Sequence, residues 1–524
     1  MEEYLLRRTP ADKQPIPAEL RDLQKSDCGA AVTLRLGGQV KAQVVRHDGS
    51  LPRSVIEAAL TAMRSGKLPD RITSSVLSSL TVEVELLGAF SEVTADEIAG
   101  VFKPGLTGLV AGRDEKATYL LPSSSYERGL GAEAVRAEVL GRLGTLPKRW
   151  AIFTSRHFVS YPDGRVVELH RGKLARQTAK LDEKMLLEAA ETVGGFLAVN
   201  QDPWTGRYRT ATGEAADIVT NLRAAHAMSL LARHTGKKDF ARSFNAAIAE
   251  INKTVSSGKS RAYVVTDRLT DRLPATAWLA LTLAEQGDSQ QARELLGRLT
   301  ASLKAALGDG EAPQVDVLGE HRGYEPSLAD KSLACVVLHR ALPADDEFLT
   351  KRAPAVLQAI ADGAVAGKLT AGGSLVEAAW AGRALAAAKF RQDPAGPFLA
   401  ELRRSLRSRI AAPSQPPDEA GGLVDADGQV STAATALCAA MLAEARGAGQ
   451  LRSDQADSDA ARLAETMLSF CRSIIYAPGE AFFAEDPSRW VGGVRSRPEA
   501  AGVTVEACAA AMEAFLAALP QPNP

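Results

Sequence analysis

An alanine-rich helical segment that recurs six times after about residue 180 constrains the fold of this chain more than any other feature. Neighbouring copies start roughly 50 to 75 residues apart, and a second helical pattern lies between them. Each unit is therefore predicted to be a helical hairpin, the element that repeat architectures stack. Six hairpins favour a closed ring, and an open superhelix is the alternative. The copies start at Asn221, Ala275, Ser327, Ser374, Ser431 and Val503.

The segments between these copies have the composition of outer helices. They carry arginine and glutamate beside a one-sided apolar stripe, as a helix with one solvent-facing side requires. The alanine-rich copies fit inner helices flanked on both sides, because small side chains let neighbouring backbones approach. Twelve alternating helices are predicted, with the outer ones near 182–198, 238–254, 289–307, 346–361, 395–411 and 460–475.

The first 170 residues follow a different pattern, in which short strands are mixed with helices. AAVTLRL and QVKAQVV predict two strands joined by a glycine turn, and SVIEAALTAMRSG predicts the helix that follows. TVEVELL alternates apolar residues with Glu83 and Glu85, which predicts a half-buried strand with the glutamates on the face opposite the core. A last hairpin is predicted to turn at Asp163 and Gly164. This region is therefore expected to be α+β.

The change of pattern predicts two domains. We expect an N-terminal arm over 1–25, an α+β domain over 26–172, a linker over 173–181 and the helical ring over 182–520. A chain of 524 residues is too long for one hydrophobic core, which agrees with this division.

Composition excludes several classes of partner. Lysine plus arginine (62) nearly equals aspartate plus glutamate (63), so neither nucleic acid nor a membrane surface is an expected partner. The N-terminus lacks the apolar core of a signal peptide and no segment is long enough to span a bilayer, which predicts a cytoplasmic protein. The five cysteines have no CxxC spacing, and no nucleotide-binding loop or zinc motif occurs. No cofactor or metal is therefore predicted.

The N-terminal region resembles the AMMECR domain family, a compact α+β module, over about residues 26–172. The resemblance is carried by AAVTLRLGGQVKAQVV, by TVEVELLG and above all by GLTGLVAGRDEKATYLLPSSSYERGL. Residues 40–45 stand where that family has a cysteine-containing hexapeptide, so no thiol chemistry is implied. The resemblance implies a fold rather than an activity.

The C-terminal region resembles the six-hairpin (α/α)6 toroids, which include glycoside hydrolases, sugar epimerases and cyclases. GGFLAVNQDPWTGRYR, YEPSLADKSLACVVL and WVGGVRS carry the resemblance. Together, the two resemblances imply an α+β domain followed by an all-α (α/α)6 toroid of six helical hairpins. In such rings ligands bind at the mouth, formed by the loops that precede the inner helices.

Polar residues in those loops are the candidate site. Acidic side chains dominate, and a pair facing each other across the mouth can serve as general acid and base, although a single one more often caps a helix. Glu214 and Asp217 share one helix face, and Glu325 precedes the third inner helix; we take these three as candidate catalytic residues. The candidate ligand-binding residues are Trp204, Arg207, Tyr208, Tyr324, Trp490 and Arg495. Other acidic residues predicted at the mouth include Asp267, Asp271 and Asp330.

Two functions from different classes remain open. The first is a binding or scaffold protein, in which the ring offers a concave surface and the N-terminal module recruits a protein partner; the low aromatic content of 5% favours it. The second is a hydrolase or epimerase that acts on a carbohydrate or related polar metabolite through carboxylates at the mouth.

Overall fold

The chain divides into two compact units in a computed structural model. The structure describes residues 29–47, 50–65, 68, 73–112, 117–174, 181–286, 289–308, 326–367, 374–389, 395–412, 416, 418–425, 427–450 and 454–520. The first unit, here the sheet unit, comprises Met1–Gln177, Tyr476–Val491 and Arg497–Gly502. The second, the ring unit, comprises Thr178–Ile475, Gly492–Ser496 and Val503–Pro524. Two late segments of the chain thus belong to the first unit.

The sheet unit is built on one antiparallel sheet, which has eight strands in the described part of the chain. The strand order is β2-β1-β3-β6-β4-β5, and β7 pairs with β6 and β8. The predicted glycine turn joins β1 to β2, and the predicted hairpin at Asp163 and Gly164 joins β6 to β7. The strands are β1 Ala30–Leu36, β2 Gln39–Arg46, β3 Leu80–Val93, β4 Thr107–Ala111, β5 Thr118–Leu120, β6 Trp150–Ser160, β7 Val166–His170 and β8 Lys173–Leu174.

Helices cover parts of this sheet. The longest packs Ala58 and Ala62 against Val32 and Leu34 of β1, where removal of apolar surface from water stabilises the contact. A second cluster lies under Val135 and is closed by residues of β4 and β6. The helices are α1 Leu51–Ser65, α2 Ser74–Leu77, α3 Ile98–Val101, α4 Pro122–Glu127 and α5 Ala132–Leu143.

The prediction for β3 was wrong about its glutamates. Glu83 and Glu85 are 1% and 2% exposed, so both faces of this central strand are covered. A buried carboxylate requires polar partners, and both find them. Glu83 binds Arg35 and lies 3.0 Å from Nε2 of His157, while Glu85 accepts hydrogen bonds from Ser123 and Ser155 at 2.5 and 2.7 Å.

A late part of the chain completes this polar layer. We call Tyr476–Val491 the return segment, since it belongs to the sheet unit although it follows most of the ring helices. Phe482 lies 6.1 Å from the ring of His157, and the guanidinium of Arg35 lies 5.8 Å from the centroid of Phe482. Tyr161 donates a hydrogen bond of 2.7 Å to the carbonyl of Gly479. Aromatic and hydrogen-bonding contacts therefore fix the segment in the unit.

The ring unit consists of helical hairpins that close on themselves. Going round the ring, each inner helix contacts the next, and α17 returns to contact α7, so the superhelix alternative is excluded. Six inner and six outer helices lie within the described residues, as predicted. The inner helices are α7 Ile218–Thr235, α9 Leu269–Gln286, α11 Leu328–Ala341, α13 Leu375–Ala387, α15 Thr432–Gly447 and α17 Val505–Ala517. The outer ones are α6 Glu183–Val199, α8 Lys238–Asn252, α10 Gln290–Ala306, α12 Ala353–Gly367, α14 Ala395–Arg409 and α16 Asp454–Ser473.

Side-chain caps explain where most inner helices begin. Asp217, Ser327, Ser374, Ser431 and Thr504 each accept a hydrogen bond from a backbone N–H in the first turn of the following helix. Alanine then fills the inner faces, where neighbouring helices lie on both sides. In the described part of the chain, no helix is both long and apolar enough to cross a bilayer.

Candidate functional site: the mouth of the ring

A polar cavity opens where the inner helices begin. Its volume is about 1190 Å³, slightly above the usual range of small-molecule sites. The first turns of α7, α9, α11, α13 and α17 contribute to its wall, so these helices direct their N-terminal ends, with their partial positive charge, toward it. Residues from the loops before α9 complete the wall. Its lining includes Arg207, Asp217, Arg223, Asp267, Arg268, Asp271, Trp278, Asp330, Trp380 and Glu506. We call this the mouth cavity.

Two tryptophans form an aromatic part of this lining. The rings of Trp278 and Trp380 meet edge to face, with centroids 5.6 Å apart. Arg383 lies 4.5 Å from the centroid of Trp380, and Arg223 lies 5.8 Å from that of Trp278. Because both indoles are largely buried, only limited parts of them face the cavity. Packing and cation–π contacts therefore hold these surfaces rigidly.

Four of the five carboxylates of the cavity fall into two groups, and the fifth, Asp271, accepts a hydrogen bond of 3.1 Å from the hydroxyl of Thr270. Asp217 and Asp330 cap helices: Asp217 accepts from the N–H and hydroxyl of Thr220 at 2.9 and 2.7 Å, and Asp330 forms a capping box with Ser327. Asp267 and Glu506 are exposed, and neither carboxylate makes a hydrogen bond or ion pair with any other described residue. The second pair is therefore available to a ligand.

A chain of ion pairs runs from the cavity through the ring; it is buried at Arg223, Glu513 and Arg383 and reaches the surface at Arg340 and Arg233. We call it the axial ladder; it consists of Arg223, Glu513, Arg383, Glu444, Arg340, Glu285 and Arg233, in that order of contact. Arg223 lines the cavity, whereas Arg233 and Glu285 lie in the last turns of their helices. The ladder thus takes residues from every inner helix named above. Successive nitrogen–oxygen distances are 2.9, 3.2, 2.8, 3.2, 3.2 and 2.5 Å.

The ladder keeps its groups charged despite burial. Burial by itself would raise the pKa of Glu513, but the Arg223 and Arg383 guanidinium groups lower it below its ordinary value. The pKa of Glu444 is lowered in the same way by Arg383 and Arg340. His226 lies beside the ladder, 5.4 Å from Trp278, and burial lowers its pKa. Its Nδ1 has no hydrogen-bond partner among the described residues, which favours the neutral imidazole.

The structure brings some of the predicted site residues together. Arg207 and Asp217 line the mouth cavity, with Asp267, Asp271 and Asp330. Glu214 is exposed in a turn, where its N–H donates to the hydroxyl of Thr210, and it does not line the cavity. Tyr324 and Glu325 lie outside the described residues.

The remaining predicted residues lie elsewhere. Trp204 is 90% exposed and does not line the cavity, whereas Tyr208 is fully buried, with its hydroxyl 3.2 Å from that of Ser243. Arg495 is buried in the ring unit, 3.9 Å from Asp418. Trp490 belongs to the return segment, where its ring meets those of Tyr476 and Phe483 at 5.6 and 5.2 Å.

Sequence reasoning missed the tryptophans and the ladder. Trp278 and Trp380 stand inside alanine-rich helices and look like ordinary core residues. The ladder had a visible signal, since single charged residues such as Arg383 and Glu513 interrupt otherwise apolar inner helices. Among the described residues, no three His, Cys, Asp or Glu side chains form a group suited to a metal ion.

Comparison with known proteins adds structural similarities at low sequence identity. No protein-family model matches the chain, and no curated protein matches its sequence. It is similar to cellobiose 2-epimerase from Bacillus thermoamylovorans B4167, at 11% identity over 64% of this chain and 99% of that one, with a TM-score of 0.46. It is also similar to a GH76A alpha-1,6-mannanase of Salegentibacter sp. HEL1_6, at 12% identity over 64% of this chain and 98% of the mannanase, with a TM-score of 0.44. A third similarity is to uncharacterized protein PH0010 from Pyrococcus horikoshii, at 21% identity over 32% of this chain and 90% of that protein, with a TM-score of 0.29.

Proposed function

We propose that the ring unit binds a carbohydrate or a related polar metabolite in the mouth cavity. The observation that carries the proposal is an open cavity of about 1190 Å³ in which carboxylates, guanidinium groups and tryptophan edges face one space. Polyols are recognised by such combinations, because carboxylates accept hydrogen bonds from hydroxyl groups while aromatic surfaces cover the apolar C–H face of the sugar.

Asp267 and Glu506 are the residues that we expect to accept hydrogen bonds from the ligand. Both line the cavity and neither has a partner among the described residues. Asp217 and Asp330 are less suited, because their oxygens already hold helix N-termini. Arg207 and Arg268 supply donors on the same wall. The aromatic contribution comes from Trp278 and Trp380.

A saccharide-binding screen on the full chain tests this proposal. The full chain is required because a fragment from residue 182 would contain the return segment without the sheet that holds it. We expect at least one ligand of a neutral mono- and oligosaccharide panel to bind in isothermal titration calorimetry. The double variant Asp267→Asn/Glu506→Gln should weaken it by about tenfold or more, since each lost charged hydrogen bond contributes on the order of 1.5 kcal/mol.

Glu214→Gln is the matched control for that experiment. It also removes one exposed carboxylate from the ring unit, but from a turn outside the cavity lining. Its affinity should equal that of the unchanged protein. The proposal is overturned if no saccharide of the panel binds, or if the double variant binds as tightly as the control.

Acid–base turnover of the bound ligand is the second candidate function. It is favoured by Asp267 and Glu506 being exposed and unpartnered, as a proton-transferring carboxylate must be to reach its substrate. NMR of each bound saccharide, incubated with the protein, detects hydrolysis or epimerisation. If product forms with the unchanged protein but not with Asp267→Asn or with Glu506→Gln, the protein is an enzyme. If a saccharide binds and no product forms, the protein is a binding or scaffold protein whose sheet unit recruits a protein partner.

We also propose that the sheet unit is an AMMECR-type module. Support comes from the segments that resemble that family, which form β4, β5 and α4 in consecutive order. The residues that stand for the family's cysteine-containing hexapeptide lie on β2. An experimental structure with a strand order other than β2-β1-β3-β6-β4-β5 would contradict this assignment.

A cytoplasmic location is the third part of the proposal. Cys335, Cys438, Cys471 and Cys508 are free and buried within the described residues. Burial raises the pKa of Cys335 and of Cys438 to about 12, so these thiols are protonated and unreactive in the folded protein. We expect them to react with Ellman's reagent only after denaturation, and disulfides in the native protein purified from its source would contradict the location.

A further inference from the structure

The sheet unit contains a second cavity, separate in its residues from the mouth cavity. Its volume is about 930 Å³, and its wall comes from both edge strands of the main strand path, β2 and β5, together with β3 and β4. We call it the sheet cavity. Its lining includes Arg46, His47, Phe90, Tyr119 and Arg142.

Aromatic rings form one part of this wall. Phe90 stands at their centre, with ring centroids of His47, Tyr119 and Phe153 at 5.1, 6.4 and 5.1 Å. Phe153 is buried behind, whereas Phe90 and Tyr119 are half-buried and line the cavity. A planar ligand ring can therefore pack on a surface that is already held in place, which keeps the entropy cost of binding low.

Arginine side chains form the other part. Arg46 and Arg142 line the cavity together with His47, and no acidic residue of the described chain does. Arg142 pairs with Glu138, but the guanidinium of Arg46 is given only one partner by the described residues, the hydroxyl of Thr61 at 3.4 Å. Such a half-buried arginine retains donors for an anion, and phosphate oxygens match its fork of N–H groups.

The charge continues into a neighbouring cavity. That cavity of about 770 Å³ shares Gly112, Thr118 and Arg142 with the first and adds Lys148 and Arg149, of which Arg149 pairs with Glu92 at 3.0 Å. Within the described residues its lining also lacks an acidic side chain. Among the described residues, the charged side chains that line these two cavities are thus arginine and lysine.

We propose that the sheet cavity binds a nucleoside monophosphate, with the base against Phe90 and Tyr119 and the phosphate at Arg46 and His47. Both halves of the ligand are needed to explain the wall. An inorganic anion would leave the aromatic surface unused, and a neutral ring would leave Arg46 with the hydroxyl of Thr61 but no anionic partner among the described residues. A volume of about 930 Å³ also suits a ligand of that size better than a single ion.

Calorimetric titration of the full chain with AMP, GMP, CMP and UMP tests this inference. We expect at least one of them to bind, with the matching nucleoside and inorganic phosphate each weaker by about tenfold or more. Affinity should fall as NaCl is raised, because the phosphate contact is screened. Arg46→Gln should weaken the nucleotide by about tenfold while leaving nucleoside binding unchanged.

Arg156→Gln is the matched control, since it removes one arginine from the same sheet at an exposed position paired with Glu168, away from the cavity lining. It should leave the affinity unchanged. Hydrogen–deuterium exchange on the unchanged protein locates the ligand without any variant, and we expect nucleotide to protect residues 43–47 and 118–120. Absence of nucleotide binding, equal affinity for nucleoside or phosphate alone, an unaffected Arg46→Gln variant, or protection elsewhere would each overturn the inference.

Discussion

Both units of this protein bury charged side chains, but they balance those charges differently. In the axial ladder arginine and glutamate alternate, so each ladder glutamate contacts two arginines within 3.3 Å. In the sheet unit, the buried Glu83, Glu85 and Glu127 share Arg35 and His157. Negative charge is thus in excess in this cluster of the sheet unit.

The excess decides which group titrates near neutral pH. Burial and the nearby charge of Glu83 raise the pKa of Glu127 to about 7, although Arg35 opposes the shift. Burial would lower the pKa of His157, but its hydrogen bond to Glu83 and the surrounding carboxylates together raise it. In the ladder, by contrast, the pKa values of Glu444 and Glu513 are lowered. In these two clusters the ratio of cationic to anionic groups, and not burial alone, sets the direction in which the glutamate pKa values shift.

Removing a charge from the ladder should have the largest effect. Glu513→Gln leaves Arg223 and Arg383 without that carboxylate in the interior, and breaking a buried pair in this way costs about 3 to 5 kcal/mol. The free energy of unfolding of the ring unit, followed by hydrogen–deuterium exchange of its inner helices in urea, should fall by that amount. The exposed pair on α14 supplies the control: Glu401→Gln should change it by less than about 0.5 kcal/mol. Equal effects of the two substitutions would refute a structural role for the ladder.

Glu127→Gln should produce the next largest effect, and it should depend on pH. The carboxyl has a raised pKa in the folded protein, so the folded state holds a proton that the unfolded state loses between about pH 4.5 and 7. Stability of the sheet unit therefore falls as pH rises through this window, by on the order of 1 to 3 kcal/mol. The glutamine mimics the protonated acid and should flatten this slope.

Differential scanning calorimetry between pH 5 and 8 measures the slope, and the unchanged protein is its reference. His157 contributes in the same direction, since a raised folded pKa stabilises the fold at low pH and that contribution is lost as pH rises. Part of the slope should consequently persist in Glu127→Gln. An unaltered slope would show that Glu127 is ionised throughout.

His226→Gln should have a smaller effect and the opposite sign of pH dependence. Burial lowers the pKa of His226, so the folded ring unit excludes a proton that the unfolded chain binds below its ordinary pKa of about 6.5. Stability of the ring unit should fall as pH drops from 6.5 toward 5, by at most about 1.4 kcal/mol per pH unit. The glutamine variant should lose this slope. If the stability of both units changed with pH in the same direction, the proposed difference in how they balance buried charge would be wrong.

An exposed ion pair gives the smallest expected change. Arg156 and Glu168 lie 2.8 Å apart on the sheet unit, with both side chains about half exposed or more. Exchange of Arg156 for glutamine should alter the free energy of unfolding by less than about 1 kcal/mol at any pH between 5 and 8, because water and salt screen the pair. A larger loss would mean that exposed pairs, and not only the ladder, stabilise this protein.

The ring was predictable because its signal is repeated. Alanine-rich copies and intervening amphipathic segments each predicted a helix, and a count of six favoured closure. Prediction failed where the environment of a residue depends on residues that are far away in the sequence. Glu83 and Glu85 alternate with valine like an ordinary surface pattern. Their burial depends on partners from distant parts of the chain: Arg35 and His157 for Glu83, and Ser123 and Ser155 for Glu85.

The mouth cavity was predicted in part for the same reason. Asp217 and Asp267 follow from their position before inner helices, which is a local property. Which carboxylate is free is not local: Asp217 is engaged by Thr220, whereas Glu506 faces the cavity from the last inner helix. The aromatic residues Phe482 and Trp490 could have indicated that the return segment packs into a core, but no pattern in the sequence says which core.

The return segment also sets an order of events during synthesis. The ribosome completes the strands of the sheet unit long before it reaches residue 476, and at ordinary elongation rates the wait is on the order of tens of seconds. Until then Arg35 and His157, the partners of Glu83, lack the phenylalanine that packs against them, so the first unit to be translated is among the last to mature. A nascent chain halted just before that point is expected to be the species most in need of a chaperone.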